Sequence, residues 1–251
     1  MNINDEVFSR TYGIYGPNMA RLFDAHVAVV GLGGVGGALA LSLARAGIGH
    51  LTLIDGDIVA PSNLNRQMIA SRSVIGQKKA EVCAQLIADI NPEIEVRVIS
   101  EFINSENMPD YLQGVDYVAD AIDDVRAKLD LIEYCTTKKI AIISSMGAGN
   151  KHNPCGFRVS DIAKTQVDPL ARVIRQGLRK RGIQHLKVVY SEEAPCRAFV
   201  QEGGIDPSPD ATEAEAITPE YTKRNPPASS PFVPSAAGLL MGSAIVEDLT
   251  H

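Results

Sequence analysis

From residue 27 to about 144 the chain alternates short apolar runs with longer segments whose apolar residues recur at steps of three and four. The runs at 27–30, 51–54, 95–99, 117–121 and 140–144 have strand length, whereas 35–46, 78–90 and 125–138 have helix length. Strand and helix in alternation predict βαβ units, which build a mainly parallel sheet with helices on both faces. In "GQKKAEVCAQLIADINP", Ala80, Cys83, Ala84, Ile87 and Ile90 fall on one stripe that would face the sheet, and Asn91-Pro92 ends the helix.

After Met146 the pattern changes. "GAGNKHNPCG" is rich in Gly, Asn and Pro and reads as a loop; "FRVSDI" reads as a strand, 168–181 as a basic helix and "LKVVYS" as another strand. Residues 201–234 are rich in Pro, Ser, Glu and Thr and are expected to form a mobile insertion. "PSAAGLLMGSAIVEDL" recovers a helical pattern whose small residues suit close packing, so a core helix is preferred to a membrane-surface helix. Ahead of the first strand, "RTYGIYGPNMARLFDAH" reads as an arm plus a short helix.

At 251 residues and 45% hydrophobic, the chain buries one substantial core. One domain over 1–251 is expected, with a core of about 10–145 and an extension of about 146–251. No apolar run approaches bilayer length and "MNINDEVFSRTYG" lacks the pattern of a signal peptide, which predicts a cytoplasmic protein without stable membrane insertion. Cys83, Cys135, Cys155 and Cys196 form no CxxC, so neither a disulfide framework nor a paired-cysteine zinc site is indicated. The net charge of -6 opposes polyanions at long range, but it is unevenly spread. Residues 169–191 hold no acid and six cations, while acids collect in "SPDATEAEAITPE".

Gly31, Gly33 and Gly36 form G-x-G-x-x-G, with Gly34 inside it, between the first strand and the first helix. Asp55 closes the next strand roughly twenty residues on, as a dinucleotide fingerprint requires. Glycine there permits a tight turn and lets phosphate oxygens approach backbone N–H groups at a helix N-terminus, while Asp55 would accept from ribose hydroxyls. Taken alone, this Rossmann-like pattern reads as an NAD-linked oxidoreductase. A triphosphate needs further cations or a metal. Arg66 and Lys79 supply cations, and Asp123 stands at a strand end where a Mg²⁺-holding carboxylate would sit, so ATP is favoured. Taken singly, either cation would ordinarily be a solvated surface charge. Asp57 is a second polar contact for the nucleotide, Asp124 is as well read as a helix N-cap, and Asn65 faces the γ-phosphate or solvent.

The set "GLGGVGG", "LIDGD", "SNLNRQ", "GQKKAE" and "ADAIDD" resembles the ubiquitin-activating-type adenylation fold of enzymes that activate molybdopterin- and thiamine-synthesis sulfur carriers. The resemblance implies that Asn63, Arg66, Gln67, Lys79 and Asp123 surround ATP and Mg²⁺, and that an arginine near the N-terminus, for which Arg10 is the candidate, reaches into a partner subunit's site. A homodimer is implied with it. Members acting on ubiquitin-like carriers commonly carry a pair of CxxC motifs and an acceptor cysteine. This chain lacks the first, and Cys196 has only Arg197 as a basic neighbour.

The second half, in "MGAGN", "VSDIAKTQVDPLARVIRQGLRKRGI" and "KVVYSEE", resembles the tRNA threonylcarbamoyladenosine dehydratases. That branch implies adenylation of a threonine carboxylate on a tRNA adenosine, then ring closure by an atom of the same group with loss of AMP, needing no thiol relay. A sulfur-relay protein is a further partner the resemblance leaves open. Arg172, Arg175, Arg179, Lys180 and Arg181 would present a ridge to tRNA phosphates beside the loop 147–153, with a solvated helix face as the plain alternative. The competing readings are an adenylyltransferase for a sulfur-carrier or ubiquitin-like protein, an NAD(P)-linked oxidoreductase, and a nucleotide-binding scaffold without turnover.

Overall fold

Seven strands form one sheet in the computed structural model, which describes residues 6–196 and 227–251. They are β1 (His26–Val30), β2 (His50–Ile54), β3 (Glu95–Ile99), β4 (Tyr117–Asp120), β5 (Ala141–Ser145), β6 (Phe157–Asp161) and β7 (Lys187–Ser191). Their order is β3-β2-β1-β4-β5-β7-β6, every neighbouring pair parallel except β6 with β7. Chain direction across the sheet reverses between β1 and β4. In such sheets ligands bind beyond the C-terminal strand ends at this switch point, called the site end below.

Alternation along the strands separates two cores. Val27 and Val29 of β1 join one cluster with Leu51 and Leu53, while Ala28 and Val30 join another with Ile54 and Val118. The first cluster is covered by α3 (Gly34–Ala46), α4 (Lys79–Ile90) and the C-terminal helix; the second lies under α5 (Met108–Tyr111) and α6 (Val125–Lys138), with α7 (Pro169–Lys180) packed beside α6. Strands buried on both faces explain the near-continuous apolar runs in the sequence.

The expected elements stand within a residue or two of their places. β4 stops at Asp120 and β5 runs one residue later than the pattern suggested, because Asp120 turns the chain and Ser145 still pairs with Val189. The arm and short helix before β1 are two short helices, α1 (Ser9–Tyr15) and α2 (Met19–Asp24), separated where Gly16 takes φ 54 before Pro17. The C-terminal helix α8 is Phe232–Thr250, so residues 232–234, expected in the insertion, open a helix instead; 201–226 lie outside the described residues. By length and composition α8 passes as a membrane span, but it packs along α3. A Cβ on Gly238 would stand 2.3 Å from the Val35 carbonyl oxygen, and one on Gly242 2.7 Å from Ser42 Oγ. Backbone contact that close is what the small residues of α8 provide.

Candidate active site

At the site end of β1 the chain turns through Gly31, whose φ of 88 lies in the left-handed region and whose added Cβ would be 2.7 Å from the Ala121 carbonyl oxygen. A Cβ on Gly36 would fall 1.7 Å from the Gly31 carbonyl oxygen, so the turn closes only with glycine at both places. Gly33 stands at the N-cap of α3 with no side-chain cap, and Gly34 begins the helix against Pro234. The first N–H groups of α3 are thus left for a ligand, and the partial positive charge of the helix end suits an anion. Asp55, 8% exposed, fixes the turn by accepting from Leu32 N at 2.6 Å and Asp57 N at 2.8 Å. Its two oxygens keep lone pairs for further donors.

Beside this turn a short helix, Pro61–Asn63, carries the next group. Asn63 is buried: its Oδ1 accepts from Ala60 N, and its carbonyl accepts from the Arg66 and Gln67 amides, so it shapes the turn that presents those two. Arg66 is half-buried and donates from Nη1 to Ser62 O and Asn65 Oδ1. Gln67 is 6% exposed, and its Oε1 has no donor, although a Cβ on Gly33 would stand 3.9 Å from its Nε2. A buried acceptor left open at the glycine turn fits a ligand that brings a donor, such as a ribose hydroxyl. Lys79 opens α4, buried, with Nζ 2.8 Å from Asp57 Oδ2. Asp123 follows β4, exposed and without a protein partner among the described residues, whereas Asp124 caps α6 by accepting from Ala127 N.

These groups converge from the ends of β1, β2 and β4. They fit a nucleoside triphosphate: helix N–H groups and two cations for phosphate, acids and an open amide oxygen for ribose. Among the described residues no three His, Cys, Asp or Glu side chains gather to hold a metal. A Mg²⁺ taken up through one carboxylate and substrate phosphates needs no such group, and Asp123 has the free carboxylate for it.

Two buried ion pairs at the site end were not anticipated. Lys128, fully buried, donates to Asp120 Oδ2 (2.8 Å), Ser144 Oγ (3.1 Å) and the Ser145 carbonyl (3.0 Å), while Asp120 Oδ1 accepts from Ile122 N. Lys151 lies 2.7 Å from Asp168 Oδ2 and donates to the Ser191 carbonyl; Asp168 also caps α7 through Ala171 N. A signal for the first was present, since Lys128 precedes Leu131, Ile132 and Cys135 at steps of three, four and seven on the buried face of its helix. Glu193 accepts from the His152 and Asn153 amides, and the His152 bond above all holds its carboxyl below the usual range.

The basic helix lies differently from its sequence expectation. It meets the loop 147–153 through its acidic N-cap Asp168, and its basic end lies about 18 Å along the axis from there, at 1.5 Å per residue. Arg175 is turned inward, donating to Thr165 O at 3.0 Å and Thr165 Oγ1 at 2.5 Å, and Arg181 pairs with Asp130 and Glu133 at 2.7 Å each. Arg172, Arg179 and Lys180 are exposed. Arg179 lines a cleft of about 360 Å³ with Ile162, Ala163, Ile183 and His185, at the opposite end of the sheet from the glycine turn. Arg10 is exposed on α1, close to Phe8, whose ring approaches Gly47 at the C-terminus of α3. The roughly 20 Å length of α3 therefore separates it from this chain's own glycine turn.

The ThiF family profile matches residues 8–185. The chain belongs to the ThiF family. Within it, the chain is 42% identical over 233 residues to the tRNA threonylcarbamoyladenosine dehydratase of Bacillus subtilis (strain 168), covering 92% of this chain and 89% of that protein. It is 36% identical over 144 residues to the molybdopterin-synthase adenylyltransferase of Salmonella typhimurium (strain LT2), covering 57% of each. The crystal structure of the E. coli tRNA N6-threonylcarbamoyladenosine dehydratase in complex with ATP superposes with a TM-score of 0.84 at 35% identity, covering 99% of this chain and 97% of that one. The Rossmann-like ThiF fold, with its mostly parallel sheet, is thus shared along nearly the whole chain.

Proposed function

We propose that this ThiF-family chain is an ATP-dependent tRNA threonylcarbamoyladenosine dehydratase, working as one adenylation unit. The observation that carries this reading is the extent of likeness: it runs over 92% of the chain with the B. subtilis dehydratase, but over 57% with the sulfur-carrier-type relative. The dehydratase likeness therefore extends over parts of the chain that the adenylyltransferase likeness leaves uncovered.

In this reading a carboxylate oxygen of the threonylcarbamoyl group attacks the α-phosphorus of ATP, and the bond from that phosphorus to the pyrophosphate oxygen breaks. An atom of the same group then bonds to the activated acyl carbon, loses its proton, and expels AMP. The net change is loss of one water. Holding nucleophile and acyl carbon in one substituent supplies the second step at high effective concentration. The Gly31–Gly36 turn and α3 would receive phosphate, with Gly33 and Gly34 offering N–H groups. Arg66 and Lys79 would offset charge on the transferring and leaving groups, and Asp55, Asp57, Asn63 and Gln67 would bind or shape the nucleoside side. Asp123 would hold Mg²⁺, which lowers the charge on the leaving pyrophosphate.

A homodimer is part of the proposal. It is supported by Arg10 lying too far from its own site, and by Val7, Tyr12 and Ile14 standing exposed on the same arm. Exposed Arg179 and Lys180 support a tRNA-phosphate role for the end of α7, with Arg172 nearer the site and Arg175 and Arg181 fixing the helix. The cytoplasm, where tRNA and ATP meet, is the compartment the reaction needs, and a sulfur-relay protein remains a partner to be sought. The test is incubation of purified protein with ATP, Mg²⁺ and tRNA carrying threonylcarbamoyladenosine. AMP and pyrophosphate should form as the nucleoside loses one water in mass spectrometry. ATP-pyrophosphate exchange driven by a sulfur-carrier C-terminus, with the nucleoside unchanged, would replace this reading with the adenylyltransferase one.

A further inference from the structure

Asn150 sits in the loop after β5 with φ 55, a left-handed conformation that Asn tolerates better than most residues. Its three polar groups reach two distant parts of the chain. The Asn150 amide donates to the Ala228 carbonyl at 2.8 Å, the Ala228 amide donates back to Asn150 Oδ1 at 2.8 Å, and the Cys196 amide donates to the Asn150 carbonyl at 2.7 Å. Neighbouring Gly149 closes against Pro227, where an added Cβ would come within 2.6 Å of Pro227 Cβ. One residue thus holds the chain on both sides of segment 197–226. The next residue along is held from the nucleotide side: Asn65 Nδ2 donates to the Ser229 carbonyl at 3.1 Å, while Asn65 Oδ1 accepts from Arg66 Nη1 at 3.1 Å.

We propose that Asn150 and Asn65 are positioning residues in a relay, Cys196–Asn150–Ala228–Ser229–Asn65–Arg66, that couples occupancy of the triphosphate site to the anchorage of the chain flanking 197–226. The proposal rests on the reading of Arg66 as a triphosphate ligand. Asn65 is the joint, because its amide is spent on both sides, which takes it away from the roles of free phosphate ligand and solvated side chain. Phosphate held by the other guanidinium nitrogens fixes Arg66 with Nη1 on Asn65 Oδ1, and the far end of that amide then holds Ser229 in place. Coupling of this kind is reciprocal, so loosening the anchor weakens ATP to the degree that ATP tightens the anchor.

The experiment uses the full chain and ATP·Mg²⁺. ATP dissociation constants are measured by equilibrium titration, and exchange at the Cys196 and Ala228 amides is followed with and without ATP. Asn150→Gly keeps the left-handed backbone and loses Oδ1, and should bind ATP about three- to tenfold more weakly, the scale of one net hydrogen bond. Asn150→Asp restores the acceptor and should bind within about twofold of the parent. ATP should slow exchange at both amides in the parent, and the difference should vanish in Asn65→Ala, an exposed position that serves as the measure should Asn150→Gly fail to fold. Parent-like ATP affinity in Asn150→Gly, or ATP protection that survives in Asn65→Ala, overturns the relay while leaving the adenylation reading intact. An unaltered protein that binds no ATP overturns the adenylation reading and the relay with it.

Discussion

Lys128→Met isolates the buried charge pair beneath the site. Methionine fills the path of the lysine stem, so little volume is lost and the change is confined to the ammonium group. In the parent that group gives all three protons to Asp120 Oδ2, Ser144 Oγ and the Ser145 carbonyl, and neither Lys128 nor Asp120 exposes any side-chain surface. Its removal leaves the Asp120 carboxylate with Ser144 Oγ and the Ile122 amide but no counter-charge. Breaking one side of a buried pair costs about 3–5 kcal/mol. With a urea m-value of about 3 kcal/mol/M, the upper part of the usual range, the midpoint should fall by about 1–1.7 M. Adding Asp120→Asn removes the stranded charge, so the double variant should be less destabilised than the sum of the two singles by about 2 kcal/mol or more. A Lys128→Met midpoint within about 0.3 M of the parent, or additive singles, would refute the claim that the pair acts as a unit in a dry setting.

Asp123→Ala should abolish turnover with an unchanged melting temperature, and Arg66→Ala and Lys79→Ala should each lose about 1.5–3 kcal/mol of ATP binding, the range for hydrogen bonds to charged groups; near-normal turnover in the first would move the metal site elsewhere. Arg179→Ala/Lys180→Ala should weaken tRNA binding and flatten its log-log salt slope by about one for each phosphate no longer neutralised, whereas Arg175→Ala should lower the melting temperature by removing the hydrogen bonds to Thr165, with little change in that slope. For Glu193 the depressed carboxyl pKa sets the sign: its contribution is present above the ordinary carboxylate range and is lost as pH falls through the depressed value. The gap in melting temperature between the parent and Glu193→Gln should therefore be full at pH 7 and shrink below about pH 4; a gap that persists in acid would contradict the assignment. Gly238→Ala should destabilise the chain, because its Cβ would meet the Val35 carbonyl oxygen; a parent-like thermal unfolding curve would mean that α8 sits looser on α3.

The strands and helices were legible because burial on both faces of a parallel sheet writes itself as apolar runs, and Gly31 and Gly36 because no other side chain fits where backbone meets backbone. Partnerships across the chain were not. Arg175 and Arg181 share a charge run with Arg179, and periodicity assigns them a face of the helix. Only the fold supplies the Thr165 carbonyl 10 residues away that turns Arg175 inward and the Glu133 carboxylate 48 residues away that offsets the charge of Arg181. Helix direction was equally hidden: a basic stretch gives no sign that its acidic first residue, and not its cationic last turn, faces the loop 147–153.

The two buried lysines follow a common physical need that also lay outside the reach of pattern. At the site end of a parallel sheet the last carbonyl oxygens of the strands point toward the ligand, and a triphosphate meeting a carboxylate there is already crowded with negative charge. Lys128 donates to the carbonyl of Ser145, the last residue of β5, and Lys151 to that of Ser191, the last residue of β7. Lys128 satisfies an acceptor one strand from the switch point and Lys151 one a strand further along, and each is matched to its own aspartate, so that neither adds a free cation to compete for phosphate. Lys79 and Arg66 differ in this respect: Lys79 has an exposed carboxylate that a phosphate can displace, and the described partners of Arg66 engage Nη1 alone, which leaves the rest of its guanidinium to meet phosphate. The division of labour among four basic residues thus follows from the partner each has been given: buried, counter-charged lysines satisfy strand-end carbonyls, and cations whose partners leave charge accessible are left to meet the substrate.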